Sequence, residues 1–153
     1  MKDRRQKLIL EQVSRKLEGF QALAAAQQPS GWIHSIRTAI NMSLSQLGKR
    51  SGKTPQGVRA LEQREKSGAI TLQSLREIAE AMDMQLVYAI VPKSGTLEDL
   101  VDLAAEKKAE EIVTRTSGTM ELEDQQVRRQ RLIKAMMEKR EELKNEMPKF
   151  LWD

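Results

Sequence analysis

Two helix starts only eleven residues apart, Ser43 and Thr54, with Gly52 between them, constrain this chain more than any other feature. Ser43 is followed three residues later by Gln46, which is capping-box spacing, so a helix opens there and runs through "LSQLGKRS" until Gly52. Thr54 is a good N-cap, and Pro55 falls at the first helical position, where its missing N–H costs nothing. The second helix continues through Val58, Leu61 and Glu62 to about Lys66. Two short helices joined this tightly must cross. The crossing needs a small residue, which Gly48 supplies, and the turn needs a residue tolerant of unusual backbone angles, which Gly52 supplies. Leu47, Val58 and Leu61 form the apolar seam between them.

The flanking sequence extends this pair into a helical domain. "QQPSG" breaks a first helix over residues 6–27, and Ser30 is placed to cap the next, "WIHSIRTAIN", which carries Ile33, Ile36 and Ile40 on one face. Thr71 caps a further helix whose Leu72, Leu75, Ile78, Ala79 and Met82 make an apolar stripe. Four short helices thus occupy residues 31–83. The period then changes. "MQLVYAIVP", bounded by Pro92 and Gly95, reads as a strand. A lone strand leaves its backbone groups unpaired, so Leu86, Val87, Tyr88, Ala89 and Ile90 are expected to pair with the same strand of a second copy.

Beyond it, Thr96 with Asp99 starts a helix reaching about Thr116, "TSGT" breaks it at Gly118, and a last helix of about 25 residues carries Leu122, Val127, Leu132, Met136 and Leu143. Both have narrow apolar stripes and are expected to pack on a partner or flank the domain. The expected fold is mainly α: a four- to five-helix domain built on the tightly joined pair, with one strand, and helical extensions at both ends. The boundaries expected are 1–29, 30–93 and 94–153.

Charge points to the ligand. Residues 1–30 hold six basic and three acidic residues, residues 31–93 nine and five, and residues 94–153 eleven and fourteen. The basic surplus therefore sits in the first 93 residues, which suits a polyanion-binding module beside an assembly or partner segment. There is no cysteine and a single histidine, His34, which excludes disulfides, thiolate metal sites, cysteine nucleophiles and a histidine metal cluster. No apolar run approaches the ~18 residues of a membrane span, and Glu11, Arg15, Lys16 and Glu18 interrupt any signal peptide. No Gly-rich phosphate loop follows a strand. The chain is expected to be a cytoplasmic, nucleoid-associated protein without cofactor, metal or enzymatic activity.

A helix-turn-helix lays its second helix in the major groove with its first residues nearest the base edges. Between Ser43 and Arg59 there are four basic residues (Lys49, Arg50, Lys53 and Arg59) and no acidic one. Pro55, Gln56 and Arg59 are the candidates for base contact; glutamine pairs bidentately with adenine and arginine with guanine. Ser43, Lys49, Arg50, Lys53, Thr54 and Arg64 are the candidates for phosphate contact. Trp32 and Trp152 are expected to anchor the domain start and the chain end by packing.

Residues 31–83, with "MSLSQLGKRSGKTPQGVRALEQ" followed by "TLQSLREIAEAMD", resemble the Cro- and repressor-type (Xre-like) helix-turn-helix family. The resemblance implies a structural ion pair between Arg37 and Glu62. It also exposes three departures: Leu44 stands where the family often has a polar phosphate contact, Gly57 where it often has a polar base reader, and the stretch between Glu62 and the helix that Thr71 caps is longer than is usual in the family. The whole chain resembles a narrower group, the mobile mystery protein A family, through "GWIHSIRTAINMSLSQLGKRSG", "TLQSLREIAEAMDMQLVYAIVPKSGTLEDLV" and "PKFLWD". That resemblance implies a bacterial regulator often encoded beside a Fic-domain partner. The expected function is a homodimeric, sequence-specific repressor of its own operon, bound to double-stranded DNA. The alternative is an antitoxin-like protein that inhibits a Fic-domain partner, with DNA binding secondary. For that alternative, "SRKLEG" is similar to the inhibitory helix of Fic-directed antitoxins, which makes Ser14, Glu18 and Gly19 its candidate residues, with an amphipathic helix end as the plain reading.

Overall fold

The computed structural model describes residues 2–26, 28–117 and 125–153. Seven α-helices follow in order: α1 (Lys2–Glu18), α2 (Trp32–Ala39), α3 (Leu44–Ser51), α4 (Pro55–Ser67), α5 (Leu72–Ala81), α6 (Leu97–Ser117) and α7 (Gln125–Glu146). Short 3-10 turns lie at Gln21–Ala25 and Lys149–Trp152. The first helix is shorter than its sequence suggests, ending at Glu18 before Gly19. The break expected at Gly118 and the packing expected of Leu122 lie outside the described residues. By contacts the chain forms two compact units, residues 22–89 and residues 1–21 with 90–153.

Residues 22–89 hold α2 to α5. Their core is Ile33, Leu47, Val58, Leu61, Ile78 and Met82, with Ile36, Met42, Leu44, Ile70 and Leu75 packed around it. Leu44, a departure at sequence level, is half-buried and packs against this core. Local chemistry starts and stops the helices. Ser43 Oγ accepts from the Gln46 backbone N–H at 3.1 Å while Gln46 Oε1 accepts from the Ser43 N–H at 2.8 Å, a complete capping box. Gly52 ends α3 in the left-handed conformation (φ 68°), which a glycine adopts without a Cβ penalty. Thr54 Oγ1 accepts from the Gly57 N–H at 3.0 Å, and Thr71 Oγ1 from the Ser74 N–H at 3.1 Å.

Gly48 marks the α3–α4 crossing. A Cβ there would lie 2.5 Å from the Lys53 carbonyl oxygen, so only glycine lets the turn fold back against α3.

Two expectations fail here for physical reasons. Ser30 does not cap α2: Gly31 is the N-cap residue, with φ 80° and no side-chain cap bond of its own. The orphan N–H groups of Trp32 and Ile33 are satisfied instead by Glu65 of α4, at 2.8 and 2.9 Å. Nor is there a strand: Met84–Pro92 carries neither helix nor ladder, and no strand occurs among the described residues. The β-branched composition of Leu86, Val87, Tyr88, Ala89 and Ile90 is real, but no neighbouring segment of the same chain supplies ladder partners. Leu86 is half-buried and the others are exposed; the Arg76 guanidinium lies 6.0 Å over the Tyr88 ring, against α5.

In the other unit α6 and α7 run antiparallel, as Arg140 meets Asp102 at one end and Arg128 donates to the Ser117 carbonyl at the other. Val101, Ala105, Ala109, Leu143 and Leu151 are the core, with Leu10 of α1 against it. The narrow stripes on α6 and α7 thus find each other, and small alanines at four-residue spacing let the two helices approach closely. Thr96 and Asp99 cap α6 reciprocally, the Thr96 N–H reaching Asp99 Oδ2 at 2.8 Å. The Ser14 hydroxyl donates to Glu98 Oε2 at 2.5 Å and ties α1 to α6. Both tryptophans are more exposed than packing anchors would be, Trp32 at 51% and Trp152 at 58%.

Candidate nucleic-acid interface

The outer face of α4 is set by where this helix sends its acids. Val58 and Leu61 are buried in the core with Leu47, while the buried Glu62 and the half-buried Glu65 both turn toward α2. Arg37 Nε donates to Glu62 Oε1 at 2.6 Å and its Nη2 to Oε2 at 3.3 Å, while Nη1 donates to the Met42 carbonyl at 2.9 Å. Both side chains are about nine-tenths buried, at 11% and 8% exposure. His34 Nδ1 lies 3.2 Å from Glu62 Oε2. Glu65 spends both oxygens on the start of α2, close enough that a Cβ on Gly31 would meet Oε2 at 2.8 Å.

The consequence is electrostatic. With Glu62 and Glu65 turned inward, α4 presents to solvent Pro55, Gln56, Arg59, Gln63 and Lys66, all exposed, with no acid among them. Gln56, Arg59 and Gln63 follow one another at helical spacing and share one face. Gln63 was not among the residues singled out from sequence; its seven-residue distance from Gln56 was the available signal. Glu65 was missed as well, since its partners are backbone N–H groups that no side-chain motif announces.

Around α4 the remaining candidates divide. Lys49, Lys53, Arg59, Arg64 and Lys66 have no carboxylate partner among the described residues, and all but the half-buried Lys53 are exposed. Arg50 is different: its Nε donates to the Ala81 carbonyl at 2.6 Å and its Nη2 pairs with Asp83, so it locks α3 to the end of α5. Ser43 and Thr54 use one lone pair each in capping and keep their hydroxyl hydrogens free to donate. Pro55 sits exposed at the tip of α4. The arrangement of a crossing helix, a tight turn and a cation-bearing exposed helix that starts at a cap is that of a groove-reading module.

Residues 33–88 match a protein-family model described as helix-turn-helix. This part of the chain is a helix-turn-helix domain of the Xre/Cro type. No curated protein and no solved structure matches the chain. The helix-turn-helix domain is the kind by which transcription regulators bind DNA, and α3 and α4 are its tightly joined pair. No helix among the described residues is long and apolar enough to cross a membrane.

The other candidate trio lies on α1. Ser14 is half-buried and committed to Glu98, which it holds below the usual carboxylate range. Glu18 and Gly19 are exposed at the end of the helix, with nothing near a Cβ on Gly19.

Proposed function

We propose that this protein is a sequence-specific DNA-binding regulator that acts as a homodimer and represses its own operon. One observation carries the reading: α4 exposes Gln56, Arg59 and Gln63 on a face free of acids, because Glu62 and Glu65 are both engaged with α2. Gln56 and Arg59 read base edges in the major groove, Gln63 extends the same row, and Lys49, Lys53, Thr54, Ser43 and Arg64 hold the phosphates on either side. A second copy reads a half-site about one helical turn, ~34 Å, away. The exposed Val87 and Tyr88, beside the half-exposed Met84 and Trp32, are the apolar surface for that second copy. Footprinting on the DNA upstream of the gene tests the reading. Protection in two half-sites is expected, and Gln56→Ala and Arg59→Ala are expected to abolish it at fixed salt; unchanged protection by both variants refutes the surface.

A second reading is favoured by the exposure of Glu18 on the last turn of α1. In it, the chain also restrains a Fic-domain protein, as its resemblance to mobile mystery protein A implies, with Glu18 entering that partner's nucleotide pocket. Glu18→Ala should then release the toxicity of a co-expressed Fic partner without changing the footprint. An unaltered partner activity removes this reading alone.

A further inference from the structure

We propose that Gly57 is a specificity-determining position of α4, kept bare because the DNA, and not the fold, excludes a side chain there; the inference rests on the DNA-binding reading above. Glycine at the third position of a helix is a cost without local return, roughly fivefold in equilibrium terms against alanine. Nothing inside the molecule demands it. Gly57 is absent from the residues with positive φ, which include Gly31, Gly52, Gly68 and Gly95, so its backbone conformation is open to any residue. Its steric surroundings differ from those of Gly48 in the same motif. A Cβ on Gly48 would meet a fixed backbone oxygen at 2.5 Å, whereas one on Gly57 meets only the Thr54 side-chain oxygen at 3.2 Å and Lys53 Cβ at 3.6 Å. Lys53 Cβ is at ordinary contact distance, and only the Thr54 oxygen, which also caps the Gly57 N–H at 3.0 Å, must give by a few tenths of an ångström.

What surrounds Gly57 says where the missing side chain would go. Its Cβ direction runs back toward Thr54 and Lys53, and its neighbours Gln56 and Arg59 are exposed on the reading face. Gly57 itself is half-buried and lies about 100° round the helix from Gln56, so its bare backbone faces the Thr54 and Lys53 side, the side assigned to phosphates. A methyl group there holds the phosphate backbone off the helix start and lengthens the hydrogen bonds of Gln56 and Arg59 together. Gly57 acts by permitting close approach and makes no hydrogen bond to a base.

The test compares the full chain with Gly57→Ala and Gly57→Ser by two readouts: thermal unfolding, and affinity for the duplex that the wild-type chain protects, beside a mixed-sequence duplex of equal length. Both variants are expected to unfold at or above the wild-type temperature. Affinity for the protected duplex is expected to fall about tenfold or more, as for an added methyl in a filled contact, with a smaller loss on the mixed duplex. Unchanged affinity of the alanine variant overturns the proposal. So does a lowered unfolding temperature, because glycine would then be serving the Thr54 cap. If Gln56→Ala and Arg59→Ala abolish binding while Gly57→Ala does not, this inference falls alone; if those two bind normally, the reading beneath it falls as well.

Discussion

The Arg37–Glu62 pair is the joint on which the reading face depends, and Glu62→Ala tests it. The variant leaves a guanidinium nine-tenths buried, its Nε without an acceptor, Nη2 with only His34 Nδ1 at 3.4 Å, and Nη1 still bonded to the Met42 carbonyl. Removing one member of a buried pair costs about 3–5 kcal/mol, since the remaining charge stays desolvated. Native domains hold only about 5–15 kcal/mol in total, and for a unit of this size each kcal/mol moves the midpoint by roughly 4–8 °C. The helix-turn-helix unit of Glu62→Ala should therefore unfold at least ~12 °C earlier. The chain carries one tryptophan in each unit, Trp32 and Trp152, so urea or thermal unfolding followed by fluorescence in a Trp152→Phe background reports on this unit alone. Replacing both partners, Arg37→Met with Glu62→Leu, removes the stranded charge and should recover about half or more of the loss. A loss below about 1 kcal/mol for Glu62→Ala, or a double variant as unstable as the sum of the singles, would refute the reasoning.

Gly48→Ala forces a Cβ to 2.5 Å from the Lys53 carbonyl oxygen and should destabilise the same unit by about 1–3 kcal/mol, read as an earlier Trp32 transition. For DNA binding, each neutralised phosphate adds about 0.9 to the slope of log affinity against log salt. In a homodimer Lys53→Ala should lower that slope by about 1.8, whereas Arg50→Ala, whose charge is already paired with Asp83, should leave it unchanged; titrations at several salt concentrations decide. In the other unit the Glu98 carboxyl is held low mainly by the Ser14 hydroxyl, and that of Asp102 mainly by Arg140. A carboxylate lowered by folding contributes stability that is present above its unfolded value, about 4, and is lost as pH falls through the lower folded value. Acid should therefore weaken the α1, α6 and α7 unit below about pH 4, and Asp102→Asn should flatten that dependence when Trp152 fluorescence is followed in a Trp32→Phe background.

Much of the recognition module is legible as local chemistry. The caps at Ser43, Thr54, Thr71 and Thr96 act on N–H groups two or three residues ahead, the turn at Gly52 is a single residue's conformation, and the seam of Leu47, Val58 and Leu61 follows helical period. Such features depend on short stretches of chain, so they can be read in order. The strand was misread for the complementary reason: the composition of Met84–Pro92 allows extension, but a ladder needs a second segment that no local rule can summon. Ser30 was misassigned because the true partner of the α2 start, Glu65, comes from more than thirty residues away.

The order of residues alone thus settled that α3, α4, α5 and α6 exist and where they begin, and that four cations without an acid lie between Ser43 and Arg59. Packing alone decided what those charges can do. It turned Glu62 and Glu65 inward onto α2, spent Arg50 on Asp83 and the end of α5, and left Lys49, Lys53, Arg59 and Arg64 without a carboxylate partner among the described residues. Charges along a sequence are fixed by the residue types, but their availability depends on which groups the tertiary fold brings within hydrogen-bond reach.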